Sequence, residues 1–103
     1  MVEEDVFLDD HKIAEVRPEH YFIVLVDPRV HTFNLSEKKR GGVRADFRAG
    51  ESYYIRVSWD RFKRPTGMDL VPEETGSFEI PEFRPVSEKN IYDPKYAFTR
   101  LPF

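Results

Sequence analysis

The chain is 103 residues long, 40% hydrophobic, 15% aromatic and 34% charged, with a formal net charge of −3. That length suits one domain, and the aromatic content excludes an intrinsically disordered chain, which would be poor in such residues. The absence of cysteine excludes a disulfide framework, a thiolate metal centre and a thiol nucleophile.

Charge is unevenly spread. Residues 1–35 carry eight acids and three bases, residues 36–64 nine bases and four acids, and residues 65–103 seven acids and four bases. A basic middle between acidic ends reads first as self-complementary on folding and second as a binding patch. No stretch approaches the roughly 20 apolar residues of a membrane-spanning helix. The opening "MVEEDVFLDDHK" lacks the basic and apolar regions of a secretory signal, which points to the cytoplasm unless a leader has been removed.

In chain order, "VFL" at 6–8, the cluster "DDHK" and "IAEV" at 13–16 predict a hairpin. Asp9-Asp10 is a weaker turn dipeptide than Asp-Gly, because glycine tolerates positive φ better. "YFIVLV" at 21–26 is apolar on both faces and predicts a central strand buried on both sides. After the turn "DPR", the strand "VHTFNL" puts His31, Phe33 and Leu35 on one face. "SEKKRGG" reads as a polar loop, and "VRADF" turns Val43, Ala45 and Phe47 inward. In "RAGESYYIRVSWDR" the alternation groups Tyr53, Ile55, Val57 and Trp59 on an inner face and Tyr54, Arg56 and Ser58 on an outer one. "FKRPTG" reads as a loop, and "MDLV" and "SFEI" as a last hairpin across the turn "PEETG". No dozen residues hold a helical period without meeting proline or glycine.

The expected fold is all-β: a small antiparallel β-sandwich of about seven short strands over residues 1–80. Residues 81–103 contain four prolines and predict an extended tail, pinned across the body or onto a partner by Phe83, Tyr92, Tyr96, Phe98 and Phe103.

The order of "FLDDHKIAEV", "HYFIVLVDPRVHT", "RAGESYYIRV" and "MDLVPEETGSFEI" over residues 6–80 resembles a bacterial family of unknown function found in small lipoproteins and exported proteins. That family is related to the domains named for a Pro-Glu-Gly-Ala motif. The resemblance implies a transthyretin-like sandwich, an envelope location and no catalytic residue. Asp10 and Arg29 stand where the family pattern prefers glycine, and both the usual opening strand and a lipid-attachment cysteine are lacking. The resemblance therefore implies a sandwich with one edge uncovered.

Catalytic and metal chemistry find little support. His11, His20 and His31 show neither the His-x-His nor the His-x-x-x-His spacing of a zinc site. His31, on an apolar face, reads as a core-edge histidine bonded to backbone. No nucleophile elbow or phosphate loop occurs, and Glu73-Glu74 sit in a predicted turn where exposure keeps carboxylates ionised and idle. No enzyme activity, cofactor or metal is expected. What remains is a candidate contact surface made of Lys38, Lys39 and Arg40 in one loop, Tyr54 and Arg56 on the outer strand face, and Arg61, Phe62, Lys63 and Arg64 in the next loop. The expected function is a non-enzymatic binding or structural module, acting on a protein partner or a second copy through a strand edge or the tail. The alternative is nucleic-acid or polyanion binding through residues 38–64. A single outer-face aromatic is a poor base-stacking platform, so nucleic acid ranks second.

Overall fold

A computed structural model describes residues 3–36 and 42–101. Among the described residues ten strands form, against about seven expected, in an all-β arrangement that includes one short α-helix. The centre is a four-stranded antiparallel sheet in the order β2-β1-β5-β6, from β1 (Glu4–Leu8), β2 (His11–Val16), β5 (Val30–Leu35) and β6 (Gly42–Asp46). Alternation made these strands predictable. Val6 and Leu8 on β1, His31, Phe33 and Leu35 on β5, and Val43 on β6 are all buried.

The β1–β2 turn is Asp9-Asp10, with φ of 50° and 68°. Positive φ at both central residues is the geometry of a tight hairpin whose twist matches its strands. Aspartate enters this region at lower cost than most side chains because it bonds locally. The β1–β2 register slips between Val6 and Phe7, which pair with Ala14 and Lys12. Ile13 is the extra residue of this bulge, so Ile13 and Ala14 are buried side by side.

The strands β7 (Tyr54–Trp59) and β8 (Pro65–Val71) form an antiparallel ribbon. It lies against β5 and β6. Tyr53, Ile55, Val57 and Trp59 pack on the core, as their alternation predicts. Ser58 pairs with Gly67 but Trp59 with Pro65, so Thr66 is bulged out. A proline is admissible in a strand at such a bulge. Residues 65–67, read from sequence as loop, are thereby part of the ribbon.

Two other expectations fail. "YFIVLV" is not a central strand. It is split into β3 (His20–Tyr21) and β4 (Ile23–Val24), both only half-buried. Neither joins the main sheet. β3 pairs in parallel with β9 (Arg84–Pro85), and β4 pairs antiparallel with β10 (Ala97–Phe98). The tail covers this apolar run, which explains its composition without a place in the sheet centre. The tail also closes the β2 edge. The amides of Tyr92 and Asp93 donate to the Ile13 carbonyl at 2.8 and 3.0 Å, the group the bulge turns outward. Its buried anchors are Val86, Asn90 and Ala97, whereas Tyr92 and Tyr96 are exposed. Phe103 lies outside the described residues.

Of the predicted hairpin partner "SFEI", Ser77, Phe78 and Glu79 instead end the helix α1 (Glu73–Glu79), and Ile80 opens a single 3-10 turn over Ile80–Glu82. Glu73 and Glu74 occupy its first turn rather than a hairpin turn, where acidic side chains complement the helix dipole. The helix lies on the outer face of β7. A β-carbon at Gly76 would overlap Cβ and Cγ of Tyr54, so only glycine permits this approach.

Candidate functional site

The nine candidate contact residues do not form one surface. Lys38, Lys39 and Arg40 lie outside the described residues. Tyr54 and Arg56 share the outer face of β7, but α1 covers that face. Arg56 is engaged by Glu79 of α1, with Nε and Nη2 donating to the carboxylate at 3.3 and 2.5 Å. Tyr54 packs on the Gly76 backbone. Neither ring nor guanidinium is free to form a base- or sugar-stacking platform. No sequence signal marked this cover, because a seven-residue glycine-containing helix has no usable period.

Arg61, Phe62, Lys63 and Arg64 do come together, at the tip of the β7–β8 ribbon. All four are exposed, Phe62 by 61%. Asp60 builds the turn. Its Oδ1 accepts the Phe62 and Arg64 amides at 2.8 and 2.9 Å, and its Oδ2 accepts Arg64 Nε at 3.0 Å. Backbone bonds from Asp60 to the Arg64 carbonyl (2.8 Å) and from Lys63 to the Asp60 carbonyl (2.9 Å) close it. Lys63 takes the left-handed conformation this requires, with φ of 60°. The Arg64 amide bond, with the Phe62 amide and the Arg64 side chain, holds the Asp60 carboxyl below its ordinary value against partial desolvation. The guanidinium carbons of Arg61 and Arg64 stand 4.9 and 5.1 Å from the Phe62 ring centroid, within cation–π range. The tip is therefore an apolar ring collared by cations on a turn already organised.

A second cluster lines a cavity of about 310 Å³ bounded by Asp9, His11, Arg29, His31, Asp93 and Tyr96, among others. His31 is buried at 3% exposure. Its Nδ1 lies 2.6 Å from Asp9 Oδ2, and its Nε2 lies 2.8 Å from the Asp27 carbonyl. Both partners accept, so both bonds are made together only when each nitrogen carries a proton. Partial burial raises the Asp9 carboxyl, but the bonds from His31 and from the Thr32 amide, with the nearby Arg29 charge, outweigh it and leave it lowered. Asp93 is also lowered, chiefly by His11 Nε2 at 2.7 Å. These groups hold the β1–β2 turn to β5 and β2 to the tail. Among the described residues no three histidines, aspartates or glutamates converge as metal ligands, and no helix is long and apolar enough to cross a membrane.

No family model matches the chain, and no curated protein or solved structure matches it.

Proposed function

We propose that this protein is a non-enzymatic interaction module that grips a protein partner through the tip of its β7–β8 ribbon. The observation carrying this reading is Phe62, 61% exposed and collared by two guanidinium groups on an Asp60-organised turn. Aromatic and arginine side chains dominate the energetics of protein interfaces, and a turn already held in shape loses little entropy on docking. The complementary surface is an apolar pocket rimmed by carboxylates. The tail supports a structural role instead, since its strands are spent on β3, β4 and the β2 edge. The resemblance of residues 6–80 is to a family of unknown function and contributes neither a role nor a contact residue.

The basic tip also favours the second reading, a polyanion site, and the two differ in salt response. Burying one phenyl ring in a pocket is worth about 1.5–3 kcal/mol, or roughly ten- to a hundredfold in affinity. A photo-crosslinking residue at position 62 identifies the partner, and the purified pair is then titrated. Phe62→Ala weakens the complex by at least that lower factor while leaving the melting temperature unchanged. Full retention by Phe62→Ala sinks the proposal. A tight, steeply salt-dependent complex with heparin or single-stranded DNA, lost with Arg61, Lys63 and Arg64 but not with Phe62, establishes the polyanion reading in its place.

A further inference from the structure

The turn joining β2 to β3 meets the tail in a cleft of about 290 Å³ lined by Arg17, His20, Ser87, Lys89 and Asn90, with Pro85 and Val86 as its apolar wall. Three of these side chains are cationic or can become so, and no carboxylate is in the lining. The His20 amide donates to the Arg17 carbonyl at 3.2 Å, which folds the turn and brings both residues to the same cleft. Glu19 accepts the left-handed conformation, φ of 63°, to make that turn.

The hydrogen-bond inventory of the cleft is incomplete on the protein's own terms. Arg17 Nε is buried and donates to nothing, the one such side-chain atom among the described residues. Buried donors in folded proteins almost always have partners, and an arginine N–H without one calls for an acceptor. Glu3 meets Arg17 only at Nη2, at 3.6 Å, and also accepts from Asn90 Nδ2. The Arg17 contact is too long for a hydrogen bond and leaves Nε without an acceptor. His20 Nδ1 lies 2.9 Å from the Pro18 carbonyl, an acceptor, so Nδ1 carries a proton, and Nε2 donates to an oxyanion when it is protonated as well. Lys89 and the Ser87 hydroxyl are exposed. A planar guanidinium, an ammonium, a hydroxyl and an imidazolium around one cleft match the several oxygens of a tetrahedral dianion. The volume equals roughly ten waters at ~30 Å³ each, more than a bare oxyanion fills.

We propose that this cleft binds a phosphoryl group, with Arg17 and Lys89 neutralising it and Ser87 and His20 completing its hydrogen bonds. The room beyond the phosphoryl oxygens suits a small phosphomonoester. The site is separate from the ribbon tip and does not depend on the tip's role.

The test uses the full chain at fixed ionic strength, titrated with inorganic phosphate, with glycerol 3-phosphate and with acetate. Both phosphates raise the melting temperature saturably, as a ligand of the folded state must, and both shift the Arg17 Nε resonance in nitrogen NMR. Tighter binding of glycerol 3-phosphate identifies a phosphomonoester as the ligand, and equal binding identifies free phosphate. Lys89→Gln, an exposed change without a folding role, weakens binding about tenfold, the worth of one charge-assisted contact. Arg17→Lys keeps the charge but removes the fixed Nε donor, and it also weakens binding about tenfold. Should Arg17→Lys fail to fold, the Lys89→Gln titration and the wild-type resonance still decide. No saturable response to either phosphate overturns the proposal. So does an equal response to acetate, or phosphate binding that survives Lys89→Gln and vanishes when Lys63 and Arg64 are replaced.

Discussion

Gly76→Ala is the substitution that tests why Tyr54 and Arg56 are not a contact surface. On an exposed helix alanine is better than glycine by about 0.8–1.0 kcal/mol, so propensity alone makes this change stabilising. Here the added methyl overlaps Cβ and Cγ of Tyr54, atoms close to the β7 backbone that cannot swing aside as a flexible chain end does. Overpacking of this kind costs typically 1–3 kcal/mol. The helix must lift from β7, which also lengthens the Arg56–Glu79 bonds at 3.3 and 2.5 Å. Losing a part-exposed ion pair adds up to about 1 kcal/mol. The expected net is a destabilisation of about 1–2 kcal/mol, read as a lower urea midpoint at unchanged slope. For a domain of this size each kcal/mol lowers the melting temperature by about 4–8 °C. The double mutant with Tyr54→Ala isolates the clash, because truncating the ring makes room and the penalties then fail to add. A neutral or stabilising Gly76→Ala, or strict additivity with Tyr54→Ala, refutes the close approach and returns Tyr54 and Arg56 to the accessible surface.

Two further predictions concern the cluster that ties the β1–β2 turn and the anchoring of the tail. Asp9→Asn replaces the acceptor of His31, with Arg29 3.7 Å away, and is expected to cost about 1–2 kcal/mol, a charged hydrogen bond discounted for partial exposure. Because the folded Asp9 carboxyl lies below its ordinary value, its contribution is complete above the unfolded carboxylate range. That contribution is lost as pH falls through the folded value. Urea midpoints measured against pH should therefore show a shallower acid limb in Asp9→Asn, and an unchanged limb refutes the assignment. Val86→Ala, at a tail position buried to 4% exposure, should cost about 1–2 kcal/mol and speed amide exchange at Val86, which donates to the Tyr21 carbonyl at 2.9 Å. A wild-type midpoint would mean that the tail is not part of the folded unit.

What could be read from the residues follows from how local each cause is. Half-buried strands announce themselves by alternation, so the β1–β2 hairpin, the inward set of β5 and the inner face of β7 were legible. His31 was legible as a core-edge histidine bonded to backbone, which its bond to the Asp27 carbonyl bears out. Its carboxylate partner Asp9 is 22 positions away and left no local mark. The same holds for the tip. Composition identified Arg61, Phe62, Lys63 and Arg64 as candidates, but nothing distinguished them from Tyr54 and Arg56. The difference lies in α1, which Gly76 lets sit against Tyr54.

By itself, then, the sequence determined the all-β class, the β1–β2 hairpin and the inward side chains of β1, β5 and β7, because these depend on neighbours one or two positions apart. Tertiary structure alone decided what covers "YFIVLV", which face of β7 is available and which cations share a cleft. An apolar run states that it will be buried and not by what, and here its cover comes from strands at residues 84–85 and 97–98. The meeting of Arg17 and His20 with Ser87 and Lys89 is equally a product of the tail's path across the body, and no local pattern encodes it.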